Sequence, residues 1–553
     1  MPAWENPVDA VLEYHSRTKH HPHRFAASLG YLDWASQPDP FRSFEGAQKT
    51  PLPLSAARLA AVRYANLYRQ GTVPVSPFNK DNIAALFELA LGLSAWKQYQ
   101  DTRWALRCNP SSGNLHPTEG YAILLECPGL DAGVYHYLSR DHLLERRCVL
   151  DFSDAQRLMS SDGQFFLVGL SSIHWREAWK YGERAFRYCQ HDMGHAIASV
   201  RYAAGTLGWA AKLLDVSDAA ITDLLGLARG EAFSSVPEQD REHPGAFLII
   251  GPERGLSVDI ELLRRTVKGG SWSGQANVLS PHHVSWPVID DVAQATWRDD
   301  VPTPANIPAV KAWSNAEPAT ALAEDQLSAA TIIQQRRSAV ALDDSAPPIP
   351  AQTFYQILDR LLPRPGVPPW DALPWLPHLH CGIFVHRVNG LTPGLYLLER
   401  TQLPNEKLRS LLSEGFPFER PAGCPKDLPL FKLVDGDFRA QAQGVSCHQK
   451  IAGAGAFSLG MIAEFEESIR SKGAWWYRRL FWEAGVLGHV LYLEAEASGF
   501  GGTGIGCYFD DAFHNLLGLQ GNQFQSLYHF TVGSPIEDTR LTTLPAYAHL
   551  NRG

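Results

Sequence analysis

Residues suited to gripping a charged, planar ligand fall in opposite halves of this sequence. In the first half, Arg107-Cys-Asn-Pro-Ser-Ser-Gly-Asn-Leu-His-Pro117 runs into the apolar stretch Tyr121 to Leu125. Pro110 and Gly113 break any periodicity there, and Ser111, Ser112 and Asn114 set three short hydrogen-bonding side chains on a turn that enters a strand. Such a loop can hold a polar planar group; the same composition also serves an ordinary connection. In the second half, Arg336, Arg337 and Ser338 close a short helical run. Two guanidiniums can fork onto phosphate oxygens and a hydroxyl adds a further bond, although a solvated basic helix end reads alike. Further on, Gly499-Phe-Gly-Gly-Thr-Gly-Ile-Gly506 contains Gly504, Ile505 and Gly506, where missing Cβ atoms leave room for close backbone approach and exposed NH groups. A glycine-rich helix cap has the same signature.

The elements that must position these residues can be read from periodicity. Ile83, Leu86, Phe87, Ala90 and Leu91 recur at helical spacing between Asp81 and Leu93, which predicts a helix before the serine loop. Beyond the loop, Tyr121 to Leu125 and Gly133 to Tyr137 read as a hairpin or neighbouring strands. From Glu183 to Leu207 the stripe of Phe186, Met193, Ile197, Val200, Ala204 and Leu207 predicts a central core helix. A strand follows at Ala246 to Ile250. Residues from about Lys268 to Asp325, rich in Pro, Ser, Gly and Trp, lack a sustained period and read as a connection lying across the first half.

The second half then repeats the first. Arg184, Gly194, His195, Ala203, Gly205 and Gly208 are matched 294 positions later by Arg478, Gly488, His489, Ala497, Gly499 and Gly502, and Leu224-Leu-Gly-Leu227 recurs as Leu516-Leu-Gly-Leu519. A single repeat of this length means two related domains. The boundaries expected are an arm over 1–50, a domain over 51–267, a connection over 268–325 and a second domain over 326–553. Only the first half has the serine loop; the matching place in the second reads Pro374-Trp-Leu-Pro-His-Leu-His-Cys381. Only the second has Arg-Arg-Ser, and its glycine run faces Gly205-Thr-Leu-Gly-Trp-Ala210, where Trp209 would crowd a ligand.

Pro110-Ser-Ser-Gly-Asn114 with Pro117 resembles the flavin-contacting Pro-Ser-Ser-x-Asn-x-x-Pro loop of nitroreductase-like flavoproteins. Tyr14 to Arg24 and Trp179-Lys-Tyr-Gly-Glu-Arg-Ala-Phe-Arg-Tyr188 are similar to the azoline dehydrogenase branch, SagB type, which aromatises heterocycles in peptides. The resemblance implies an α+β fold in which two tandem nitroreductase-like domains, each an antiparallel or mixed sheet flanked by helices, form an intramolecular pseudo-dimer. It implies one FMN per chain, built from both halves, with Arg336, Arg337 and Ser338 on the phosphate side and Ser111, Ser112 and Asn114 near the ring and ribityl chain. Gly504, Ile505 and Gly506 would lie near the reactive edge, and Arg540 matches a position where relatives place another phosphate-binding cation. Val340 departs from the Lys or Arg usual two residues after the serine. A second site would lack its parts. Lys180 and Tyr181 match the catalytic pair of the branch; a lysine in a dry cleft can act as a base, and a snorkelling Lys beside a core Tyr is the alternative. Their counterparts at the same offset are Ala474 and Trp475.

The implied reaction is dehydrogenation of a thiazoline- or oxazoline-like ring in a small-molecule or peptide substrate, beside a cyclodehydratase partner. The alternatives are a nicotinamide-driven nitro or quinone reductase and a scaffold that has lost catalysis. A net charge of -9 argues against nucleic acid, and no run reaches the ~18 apolar residues of a membrane helix. Eight cysteines without Cys-x-x-Cys spacing signal neither zinc nor a disulfide framework, which fits a cytoplasmic protein. His15, His20, His21 and His23 lack the spacing of a known ligand motif, so no metal is expected.

Overall fold

A computed structural model describes residues 6–151, 158, 164–299, 327–401 and 406–550. The two halves carry sheets of the same strand order. In the first, Leu143–Val149, Gly133–Leu138, Thr118–Leu124, Phe166–Ser172, His243–Gly251 and Ala210–Leu213 lie side by side; in the second, Leu430–Asp435, Gly394–Leu398, Leu379–Val385, Phe457–Glu464, Phe524–Gly533 and Gly501–Ile505 follow in the same sequence. All pairings between these strands are antiparallel. The first sheet is extended by Ser271–Trp272 and Gln48–Pro51, both paired with Leu143–Val149. The chain is thus α+β with the fold built twice, and the hairpin read from Tyr121 and Gly133 is present, with Tyr121 opposite His136.

Each half contributes one 22-residue helix, Ala185–Thr206 and Trp476–Ala497, and these two pack against each other through the middle of the molecule. Glycine makes the contact possible. A Cβ on Gly194 would lie 2.2 Å from the Trp482 carbonyl oxygen, and one on Gly485 would lie 2.2 Å from that of His191. Backbones therefore meet directly at the crossing. Around it the halves exchange buried ion pairs. Arg187 Nη1 reaches Asp510 Oδ1 at 2.8 Å, and Arg478 Nη2 reaches Asp218 Oδ2 at 2.6 Å. Arg184 also meets Asp510, at 3.0 Å.

These crossed pairs correct the repeat register. The two helices begin and end 291 positions apart, Arg187 answers Arg478, and the left-handed glycines after them are Gly208 and Gly499. The 294 offset is displaced by three residues, close to one helical turn, which keeps a similar face forward. Lys180 and Tyr181 consequently face Ser471 and Lys472, not Ala474 and Trp475, as the helices His174–Tyr181 and Glu466–Lys472 and the left-handed Gly182 and Gly473 that end them show. Trp209 answers Phe500 and sits in the core, its indole NH bonded to the Ser76 carbonyl at 2.9 Å. The Leu-Leu-Gly-Leu match at 292 stands, with Gly226 and Gly518 both left-handed.

Two local departures from the sequence reading matter. The helix Lys80–Ala90 does not lead directly to the serine loop; the hairpin Leu93–Tyr99 and Thr102–Arg107 intervenes. That hairpin is held by the far end of the chain, because Thr542–Leu544 pairs with Leu93–Tyr99 and Tyr547 Oη accepts from the Leu93 NH at 2.8 Å. The N-terminal stretch forms a helix, Pro7–Arg17, whose Tyr14 packs edge-on against Phe186 of one half and Tyr477 of the other. Of the connection, Ser271–Trp272 and Gln275–Ala276 pair with first-half segments, and residues 300–326 lie outside the described residues.

Candidate functional site

The serine loop is a strained turn tied down by one buried acid. Gly113, Asn114 and His116 all have positive φ, at 58°, 61° and 54°, and two of these are side-chain-bearing residues in a region that costs about 1–2 kcal/mol each. Asp192, on the central helix of the same half, holds the turn. It accepts from the Ser112 NH at 3.0 Å and from Ser112 Oγ at 2.9 Å. Ser111 Oγ accepts from the His116 NH at 2.8 Å, and Asn114 Nδ2 donates to the Ala105 carbonyl at 2.9 Å. Burial pushes the Asp192 carboxyl up to about 7 against these bonds, which favour its charged form.

Lys180 and Tyr181 lie over this loop. A Cβ on Gly113 would sit 2.6 Å from Tyr181 Oη and 3.2 Å from Lys180 Nζ, so a side chain there would displace the ends of the pair. One turn back, Glu177 is fully buried with neither carboxylate oxygen hydrogen-bonded among the described residues. Burial first, and then the charge of Asp192, hold its carboxyl well above the usual range, with Lys180 opposing. Burial likewise raises Tyr181.

The second half closes the site from the other side. Tyr181 packs on Tyr188 with ring centres 4.4 Å apart, and Tyr188 Oη donates to the Gly506 carbonyl at 3.1 Å. Gly504 NH donates to Tyr492 Oη at 2.9 Å, and Tyr492 Oη also meets Ser338 Oγ at 2.9 Å. Gly501–Ile505 is an edge strand, with Ile505 opposite His529, and Ser338 forms a parallel bridge to Gly502. One tyrosine hydroxyl therefore ties the Arg-Arg-Ser segment to the glycine run. Across the domain junction, Arg336 Nη2 donates to the Arg107 carbonyl at 3.2 Å and Arg337 Nη2 to the Ser94 carbonyl at 3.0 Å. The cationic segment thus abuts the root of the serine loop.

Both guanidiniums are in an unusual state. Arg336 is 4% exposed, and neither it nor Arg337 has an ion-pair partner among the described residues. Arg336 Nε is buried without a hydrogen bond. Burial, opposed by Tyr492 and Glu496, lowers the proton affinity of Arg336, and burial with the neighbouring Arg336 charge brings Arg337 down to about 10 against the pull of Glu496. Arg336 is buried and Arg337 half-buried, and among the described residues the only carboxylate that acts on them, Glu496, stays outside ion-pair distance, so the pair can take up an anion. Arg540 differs: it is exposed and forks onto Asp538 at 2.7 and 2.8 Å. Val340 is 76% exposed.

Sequence reasoning missed Asp192, Glu177, Tyr188 and Tyr492. A signal existed for the first, since Glu483 stands 291 residues later and does the same work, accepting from the His378 NH at 3.0 Å and the Leu379 NH at 3.3 Å. The related position in the second half is built differently. The residue answering Tyr492 is Arg201, whose guanidinium forks onto Asp371 at 2.7 and 2.9 Å, and Trp370, Trp375 and Pro377 line the cavity there. Among the described residues no cluster of three or more His, Cys, Asp or Glu is arranged to hold a metal ion, and no helix is long and apolar enough to cross a membrane.

No family model matches the chain. A protein of Methanocaldococcus jannaschii described as a nitroreductase is 28% identical over 106 residues, which is 18% of this chain and 52% of that one. The trifolitoxin-processing protein TfxB of Rhizobium leguminosarum bv. trifolii is 32% identical over 112 residues, 18% of this chain and 29% of that protein. The chain therefore spans about half the length of the first relative and less than a third of the second. A crystal structure from Anabaena variabilis, described as a nitroreductase, superposes with a TM-score of 0.67 at 20% identity, covering 95% of this chain and 99% of that one. The chain shares the fold of that structure over nearly its whole length, and its two halves repeat one strand order within it.

Proposed function

We propose that this chain is an FMN-dependent oxidoreductase with one composite site, which dehydrogenates a thiazoline- or oxazoline-like ring in a small-molecule or peptide substrate. The observation that carries the reading is the convergence of parts from both halves: Lys180, Tyr181 and the Ser111–Asn114 turn from one, and Arg336 to Ser338 with Gly504 to Gly506 from the other. The residues fit the cofactor. The guanidiniums of Arg336 and Arg337, which have no salt bridge among the described residues, suit its phosphate, with the Ser338 hydroxyl beside them, and the serine turn and glycine strand suit a flat ring system. Bound there, FMN would supply the hydride acceptor. Arg540, paired with Asp538, is a further phosphate ligand only if it leaves that pair.

The chain's own contribution is proton handling and exclusion of water. Lys180 Nζ, above the turn, is the base for the ring carbon's proton. Glu177, buried one turn back without a hydrogen bond among the described residues and raised in proton affinity, would sit protonated in the cleft and leave the base role to Lys180. Tyr181 and Tyr188 wall the site and orient the substrate. The toxin-processing name of one relative supports a substrate that is processed; the peptide class and a cyclodehydratase working alongside rest on the sequence resemblance. A nicotinamide-driven nitro or quinone reductase uses the same open edge and is the second reading.

The test is the visible spectrum of the purified protein with released FMN counted per chain. About one FMN is expected, lost on Arg336→Ala and on Asn114→Ala, while Lys180→Ala keeps it and loses turnover of an azoline peptide. Retention of flavin by both of the first two variants would sink the composite site.

A further inference from the structure

A pair of thiols sits at the rim of the candidate site with no part in the reading above. Cys507 follows Gly506 directly, and Cys447 lies on a neighbouring turn. Two hydrogen bonds lace the segments together: Phe509 NH to the Val445 carbonyl at 2.7 Å, and Gln449 Nε2 to the Cys507 carbonyl at 2.9 Å. The turn itself is strained, with Cys447 at φ 52° and His448 at φ 60°, both left-handed without being glycine. That conformation brings the Cys447 thiol into hydrogen-bonding contact with Cys507.

His20 completes the group. Its backbone is fixed by the bond from its NH to Asp510 Oδ2 at 2.9 Å, and its Nδ1 accepts from the Ala26 NH at 3.0 Å. With Nδ1 acting as acceptor, the neutral ring carries its proton on Nε2, and the ring is hydrogen-bonded to the Cys507 thiol. Arg184, whose Nη2 donates to the Gly506 carbonyl at 3.3 Å, adds positive charge nearby. The hydrogen bond from Cys447, followed by that from His20, outweighs burial and brings Cys507 down to about 5, while Cys447 is raised. Both are partly exposed. Of the other six cysteines five are buried, and the sixth, Cys424, is raised by burial to about 11.

We propose that Cys507 and Cys447 are a redox-active pair that exchanges with low-molecular-weight disulfides. The Cys507 thiolate attacks one sulfur of the small disulfide, forms a mixed disulfide and expels one thiolate. Cys447 then attacks the Cys507 sulfur, its proton passing to the departing second thiolate. The protein gains an intrachain disulfide, giving up two electrons and the Cys447 proton, and one small disulfide becomes one thiolate and one thiol. The new bond would pin the 447 turn to the residue beside Gly506, so thiol status would set how far that rim can open. The proposal does not depend on flavin being bound.

The experiment takes the reduced full-length protein, adds oxidised glutathione at pH 7 and maps the peptides by mass. A 447–507 crosslink, reversed by dithiothreitol, is expected in the wild type, and Cys447→Ser should instead keep glutathione on Cys507. From thiolate fraction offset by weaker nucleophilicity, Cys507 should react roughly tenfold faster than Cys424. Absence of the crosslink in the wild type, or equal rates at Cys507 and Cys424, would overturn the proposal, and the wild-type map decides even if a variant fails to fold.

Discussion

Asp192 offers the sharpest test of how the site is built, because its carboxyl is asked to do two opposed things. It is 1% exposed and must accept bonds from Ser112, yet it lies in surroundings that raise it from 3.8 to about 7. Each tenfold change in proton affinity is worth about 1.4 kcal/mol, so keeping this group ionised in the folded protein costs about 4 kcal/mol. The sign follows from proton counting. Between about pH 4, where the unfolded carboxyl titrates, and about pH 7, where the folded one does, the folded state binds more protons, and stability falls as pH rises. The stabilising contribution is complete below pH 4 and gone above 7. Asp192→Asn keeps an acceptor for the Ser112 NH and removes the charge. The variant should gain on the wild type by about 3 kcal/mol between pH 5 and pH 8, read as the difference in urea midpoints of flavin-free protein multiplied by the shared slope. A stability difference that stays constant over that range, or one that turns against the variant as pH rises, would refute the reasoning.

Two further substitutions test the junction between the halves. Gly485→Val places side-chain atoms against the His191 carbonyl, where even a Cβ would fall 2.2 Å away; helix separation should cost about 3 kcal/mol or more and lower the thermal midpoint. Arg478→Met strands Asp218, which is 2% exposed, and should cost about 3–5 kcal/mol. Adding Asp218→Asn should recover much of that in a double-mutant cycle, whereas additive losses would mean that the ion pair contributes little.

What the sequence yielded and what it withheld divide along one physical line. Local order was legible. The Phe186 to Leu207 stripe gave the central helix, the apolar runs Tyr121 to Leu125 and Ala246 to Ile250 gave the strands Thr118–Leu124 and His243–Gly251, and Arg336 does cap the helix Ala329–Gln335. The doubling was legible too, but not its register, because a three-residue slip on a helix turns the face by only about sixty degrees and the Gly-His pairs at 194 and 488 match well at the wrong offset. That slip hid Asp192, whose partner in the repeat is Glu483. It also misplaced the counterparts of Lys180 and Tyr181. The hairpin before the serine loop went unread because Leu93 to Arg107 is held in part by a strand from residues 542–544, a contact spanning most of the chain.

The corrected register explains why one composite site rather than two is the reading to test. In both halves an acid from the central helix grips the backbone of the segment entering the third strand, so the scaffold is symmetric. The difference lies in what meets that segment from the opposite half. On the side of the serine turn the repeat places Tyr492, whose hydroxyl organises Ser338 and Gly504. At the related place it is Arg201, a cation already neutralised by Asp371 and bordered by Trp370 and Trp375 in place of short polar side chains. A phosphate-bearing ligand would meet cations bonded only to carbonyls, without a salt bridge among the described residues, at the first position and a satisfied ion pair at the second. Exchanging loops alone would therefore not create a second site; Arg201 and Asp371 would also have to be replaced.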